Sequence, residues 1–125
     1  MRSAHRPRFL DLRKISLPLP GFVSILHRGS GLLLVAALPV AIWMLDQSLR
    51  DAQGFEQVRA LLAQPLTRAA TLLLVWSLAH HLLAGIRFLL LDLDIGVARS
   101  QARASSWIVL AGSLAAVVLT ASVLW

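Results

Sequence analysis

Two adjacent histidines, His80 and His81, stand at the middle of a stretch, residues 69–91, in which Arg87 is the only other strongly polar side chain. An ionisable residue that can bind metal at mid-bilayer depth is functional by default. On a helix, His81, Gly85 and Phe88 fall at i, i+4 and i+7 on one stripe, while His80 and Arg87 share the next stripe, roughly 100° around. A neutral imidazole in hydrocarbon is an axial ligand for haem iron, and a glycine one turn away gives a flat macrocycle close access. An arginine nearer the helix end can pair with a propionate. Arg87 lies about 9 Å along the axis from His81, within plausible reach. The competing reading is a histidine hydrogen-bonded to a neighbouring helix.

A second set is Ser24, His27, Arg28 and Gly31, at i, i+3, i+4 and i+7. It stacks a hydroxyl, an imidazole and a guanidinium above a glycine on one helix stripe. At the edge of a bilayer such a stripe can hold the polar head of a lipid-soluble ligand, offering a carbonyl oxygen a hydroxyl and a cation. The competing reading has Arg28 snorkelling to phospholipid head groups with His27 merely at the interface.

The elements that must position these residues follow from composition. The chain is 58% hydrophobic and 14% charged, with its apolar residues in long blocks, the pattern of a membrane protein. Three blocks approach the roughly 20 residues that cross a hydrocarbon core of about 30 Å. The spans are expected at about 22–46, 66–91 and 104–125. The first is cleanly apolar only over 29–45, so it carries His27 and Arg28 into the interface or into a protein-lined cavity. The fold expected is an all-α membrane protein with three transmembrane helices.

Residues 1–20 form a basic, proline-broken arm without the apolar core of a secretory signal. Arg2, Arg6, Arg8, Arg13 and Lys14 precede the first span and Arg99 and Arg103 follow the second, whereas the intervening loop carries Arg50, Arg59 and Arg68. The positive-inside rule then places the amino terminus and the second loop in the cytoplasm and Trp125 on the far side. The net charge of +6 is thus a topology signal. No nucleic-acid partner is expected, because the basic residues flank spans and have no aromatic platform. Cysteine is absent, which excludes disulfides, thiolate metal sites and iron–sulfur ligation by this chain.

Pro20-Gly21 punctuates the start of the first span, and Pro39 inside it predicts a kink more than a break. Within the far-side loop, 46–68, Phe55, Val58, Leu61 and Leu62 have helical spacing, as in a short helix lying on the membrane surface. Pro65 suits the first turn of the second span. Neighbours on one helix cannot take opposite axial positions, so His80 cannot complete a haem site begun by His81. His27 is expected only a turn or two inside its span, with His81 roughly 15 Å from the end of the second. Their depths then differ, and a two-histidine haem needs its other ligand from another polypeptide.

Taken in order, Arg6-Pro7, Leu10-Asp11-Leu12, Ser24-Ile25-Leu26-His27-Arg28 with Ser30-Gly31, and His81-x-x-x-Gly85-Ile86-Arg87 closely resemble the cytochrome b membrane-anchor subunit of succinate dehydrogenase, respiratory complex II. Gly54-Phe55-Glu56-Gln57 also looks like the far-side loop of bacterial members. The resemblance covers about residues 6–92. It implies ubiquinone-site roles for Ser24 and Arg28, a haem-propionate neighbour in His27, the axial haem b ligand in His81 and a propionate-side cation in Arg87. Phe88 stands where many members carry a further histidine, and His80 replaces an aromatic residue; no role is inferred for it. The resemblance further implies a flavoprotein subunit, an iron–sulfur subunit and a second small anchor subunit that shares the haem, all in a bacterial inner membrane. Nearby alternatives are the cytochrome b anchor of a fumarate reductase or of another membrane dehydrogenase, or a structural anchor without cofactor.

Overall fold

The computed structural model describes residues 17–124, which form four α-helices with short connections after a two-residue lead. The basic part of the arm, with Arg6-Pro7 and Leu10-Asp11-Leu12, lies outside the described residues, as does Trp125. Helix α1 runs Leu19–Arg50, α2 Ala52–Leu62, α3 Pro65–Asp92 and α4 Arg99–Leu124. The helices α1, α3 and α4 are each long and apolar enough to cross a membrane. At 1.5 Å per residue they are about 40–50 Å long, more than the roughly 30 Å hydrocarbon core, so their ends reach into the headgroup layers. There are no strands among the described residues, and the protein is an all-α membrane protein with three transmembrane helices.

Proline sets two of the starts. Pro18 flanks α1 and Pro20 sits in its first turn, while Pro65 opens α3; both places leave the missing N–H where no helical acceptor exists. Pro39 lies within α1, which continues through it to Arg50. The α3–α4 connection reverses the chain through Asp94 and Gly96, both at positive φ.

The three long helices pack side by side, α3 antiparallel to both α1 and α4, around a small core of Val23, Ala84 and Val109 flanked by Leu83, Phe88 and Leu110. The seam is otherwise lined by serines. Ser30, Ser77, Ser106 and Ser113 are buried, and each hydroxyl donates to a carbonyl of its own helix three or four residues back. Small residues of this kind let helix backbones approach in a bilayer, where lipid leaves no hydrophobic force to press them together. Large side chains such as Leu32, Leu82, Leu89 and Leu119 face outward, as a lipid-facing surface requires.

Helix α2 turns back against α1. Asp51 caps it, its carboxylate accepting from the Gly54 N–H at 2.7 Å. Gly54 is buried, and a Cβ there would press on the Gln47 carbonyl oxygen of α1, a backbone atom with no rotamer to escape through. Gly54→Ala therefore has to open the α1–α2 corner, at an expected cost of about 1–3 kcal/mol. The measurement is thermal unfolding in detergent together with protease cleavage between α1 and α3; an unchanged melting temperature and cleavage pattern would show that the corner yields freely.

Candidate functional site

Helices α1 and α3 bring His27 and His81 together. Their rings stack with centroids 4.2 Å apart and 11° between planes, and Phe88 meets the His27 ring edge-on at 5.2 Å. The depths of the two histidines, expected from the sequence to differ, coincide. Helix α1 begins at Leu19, not Phe22, so His27 lies about 12 Å into it, and His81 lies about 16 Å from the end of antiparallel α3.

The His81 ring is fixed by polar contacts to α1. Its Nδ1 lies 3.1 Å from the His27 carbonyl oxygen and 3.4 Å from Ser30 Oγ, while Ser30 Oγ itself donates to the same carbonyl at 2.8 Å. A carbonyl oxygen can only accept, so Nδ1 carries the hydrogen of the neutral ring and the lone pair resides on Nε2. A hydrogen bond of this type orients imidazole ligands in metal sites. Beside it, a Cβ on Gly31 would stand 2.9 Å from His81 Cε1, so the ring occupies the space that glycine leaves. The glycine that opens the way for His81 is thus Gly31 of α1. Gly85, one turn along α3, instead faces His27, whose Nε2 would lie 3.6 Å from a Cβ there.

His27 and His81 cannot serve as opposite axial ligands in this arrangement, since each in-plane lone pair points along its own ring and not through the face of the other. His80 points elsewhere altogether. It is fully buried, stacks on Trp76 with centroids 5.2 Å apart, and neither ring nitrogen finds a hydrogen-bond partner; the Val23 backbone lies near without completing one.

Ser24 and Arg28 lie one turn apart on α1, Ser24 half-buried and Arg28 exposed, on the flank of the His27–His81 contact. No protein hydrogen bond or ion pair among the described residues engages either side chain. Arg87 is not brought into this group. The residue is 5% exposed and its guanidinium turns to α4, where Nε donates to Ser105 Oγ at 2.9 Å and Nη2 to the Ala102 carbonyl at 3.2 Å. Phe88 touches both sides, with the Arg87 guanidinium carbon 5.3 Å from its ring centroid. No cluster of three or more metal-ligating side chains occurs among the described residues.

Two contributors escaped the sequence reading. Ser30 bridges the His27 carbonyl and His81; the sequence showed it as part of the Ser30-Gly31 motif, without a role of its own. Ser105 receives Arg87, and the Ser105-Ser106 pair early in an apolar span was a readable sign that something polar approaches there.

The succinate dehydrogenase/fumarate reductase transmembrane subunit family matches this chain over residues 2–120. The chain is similar to the succinate dehydrogenase cytochrome b556 subunit of Coxiella burnetii (strain RSA 493 / Nine Mile phase I), 32% identical over 124 residues that cover 98% of this chain and 99% of that protein. It is also similar to the succinate dehydrogenase cytochrome b556 subunit of Paracoccus denitrificans, 33% identical over 120 residues, 93% of this chain and 89% of that protein. With a match across nearly its whole length, this chain belongs to the succinate dehydrogenase/fumarate reductase transmembrane subunit family.

Proposed function

We propose that this chain is the haem b-binding membrane anchor of a succinate:quinone oxidoreductase, holding one axial ligand of the haem and part of the ubiquinone site. The observation that carries the reading is the tautomer of His81: with Nδ1–H committed to the His27 carbonyl and Ser30, Nε2 presents its lone pair as an iron ligand requires. The residues present therefore fit a haem b, which when bound supplies a one-electron relay between the iron–sulfur subunit and the quinone. His81 of this chain would hold the iron, and a second small anchor subunit would supply the other ligand. His27, its ring stacked on that of His81, holds a propionate. Arg87 is left out of this set because its guanidinium is turned to α4.

Ser24 and Arg28 bind the ubiquinone head. The Ser24 hydroxyl donates to a carbonyl oxygen, and the Arg28 guanidinium opposes the negative charge that grows on the quinone as electrons arrive. Two electrons and two protons complete the reduction, so the site belongs at the cytoplasmic edge, beside the docked iron–sulfur and flavoprotein subunits. The amino terminus is cytoplasmic, as the distribution of Lys and Arg favours, and the chain lies as a multi-pass subunit in a bacterial inner membrane. It does not itself oxidise succinate. The family includes fumarate reductase subunits, and the names of the two relatives favour the succinate dehydrogenase reading.

The direct test is to purify the complex through this chain in mild detergent, identify what travels with it and record the reduced-minus-oxidised spectrum. A flavoprotein, an iron–sulfur protein, a second small membrane subunit and a b-type spectrum are expected. A colourless complex with the same partners would leave a structural anchor. The seat of His81 gives a further expected result. Gly31→Ala pushes a methyl group into the ring at Cε1, displacing it from the His27 carbonyl, at a cost of about 1–3 kcal/mol. The variant complex should assemble with a shifted or broadened b-type spectrum and lose haem faster in detergent; a wild-type spectrum and retention would disconnect this contact from the haem.

A further inference from the structure

Arg87 is a buried cation without a counter-charge. A guanidinium stays protonated in proteins, and an unpaired charge out of water is costly. Yet Arg87 is 5% exposed, and no carboxylate pairs with it among the described residues. Its partners are neutral and oversubscribed. The Ala102 carbonyl is approached by Arg87 Nη2, Ser105 Oγ and Ser106 Oγ at 2.8–3.2 Å, three side-chain donors on an oxygen with two lone pairs. Arg87 Nη1 makes no hydrogen bond to protein among the described residues, so the cluster has more donors than acceptors and is built for an anion.

Next to this cluster lies a cavity of about 270 Å³ between α3 and α4, with Arg87 and Ser105 in its wall. The rest is apolar, including Leu83, Ile86, Leu90 and Ile108, and it runs from the Ile95–Gly96 turn toward the bilayer interior. Its volume is below the roughly 300–1,000 Å³ that encloses a whole drug-sized ligand, so it suits a length of hydrocarbon chain. Arg87 lies about 8 Å inside the end of α3, the depth at which the headgroup layer meets the acyl chains. Ile86, Leu90 and Ile108 are well exposed at the rim, which opens the cavity sideways to lipid.

We propose that the α3–α4 cavity binds one anionic phospholipid, its phosphate neutralising Arg87 beside Ser105 and one acyl chain lying along Leu83, Ile86, Leu90 and Ile108. Basic pockets between transmembrane helices on the cytoplasmic side recognise anionic headgroups in this way. The site is on the face of α3 turned to α4, apart from the His27–His81 contact, and is independent of the haem and quinone readings.

The test uses the intact complex in phosphatidylcholine nanodiscs containing a small fraction of phosphatidylglycerol that carries a photoreactive diazirine in one acyl chain, with photoreactive phosphatidylcholine as the comparison. Expected is labelling of the segments around Leu83–Leu91 and Ser105–Val109 that is about fivefold stronger with the anionic lipid, the factor that one basic residue near a membrane surface confers. Arg87→Gln should reduce the anionic labelling to the phosphatidylcholine level. Ile108→Trp fills the cavity from α4 while keeping the Arg87 side chain, and should reduce labelling by both lipids while leaving the haem spectrum intact. Equal labelling by the two lipids, anionic labelling that survives Arg87→Gln, or full labelling of Ile108→Trp would each overturn the site. So would absence of lipid adducts on these segments when both lipids label the rest of the complex, which would make the cavity a protein contact. If Arg87→Gln does not assemble, Ile108→Trp decides alone.

Discussion

His81→Ala should remove most of the b-type signal from the complex, with haem content after detergent washing down by about tenfold or more, since even the residues that orient metal ligands are worth 10–100-fold in metal affinity. The expectation rests on geometry. His81 is the histidine whose Nδ1 is held by a carbonyl on the neighbouring helix, leaving Nε2 for iron, whereas the stacked ring of His27 cannot oppose it. His80, next in the chain, supplies the control. It is enclosed with Trp76 and both of its nitrogens lack partners, so His80→Leu removes a buried polar group that costs about 1–3 kcal/mol when unsatisfied. That variant should keep the wild-type spectrum with an equal or higher melting temperature. A weaker, shifted spectrum in His81→Ala agrees with axial ligation, because propionate contacts and packing can retain a five-coordinate haem. An unchanged spectrum in His81→Ala would sink the assignment, and loss of the signal in His80→Leu alone would move the ligand to His80.

Sequence preferred His81 to His80 through the glycine one turn on and the family motif, and what it could not supply was the surroundings of either ring. A helix apolar on every side has no stripe to say which face meets protein and which meets lipid, so the 100° between His80 and His81 did not say what each ring would touch. The spans were readable because twenty apolar residues in a row have few alternatives, and Pro65 and the Phe55–Leu62 spacing marked α3 and α2 for equally local reasons. What failed was depth. Starting the helix at Phe22 put His27 a turn or two inside its span and at a different depth from His81, but the helix starts at Leu19, which adds nearly a turn before His27. The partner of Arg87 was hidden for the same reason as the orientation of His80: contacts between helices depend on rotation and tilt, which a three-span sequence with short connections leaves open. The Ser24, His27, Arg28, Gly31 stripe was legible as a spacing, yet only the packing shows that Gly31 seats His81.

At the proposed quinone site, Ser24→Ala and Arg28→Leu should each lower quinone reduction by the intact complex by about tenfold or more, while succinate oxidation with an artificial soluble acceptor continues at the wild-type rate. Both side chains stand on the flank of the His27–His81 contact and neither is engaged by protein among the described residues, so each is available to a ligand arriving from the bilayer. A neutral quinone gains negative charge as it is reduced. A fixed guanidinium therefore lowers the energy of the reduced forms and of the transition state more than that of the bound quinone, which is the condition for raising the rate and not merely the affinity. The hydroxyl contributes by orientation, and one well-placed hydrogen bond is worth about 1 kcal/mol, or roughly 1.5–3 to a charged group. Since 1.36 kcal/mol is tenfold in rate, Arg28→Leu should act mainly on the maximal rate and Ser24→Ala on both rate and quinone KM. Arg28→Lys tests the planar fork, because it keeps the charge and loses bidentate geometry; partial recovery is expected. Were the artificial-acceptor activity to fall in step with quinone reduction, Arg28 would be required for assembly, and the stripe would be a docking surface for the cytoplasmic subunits.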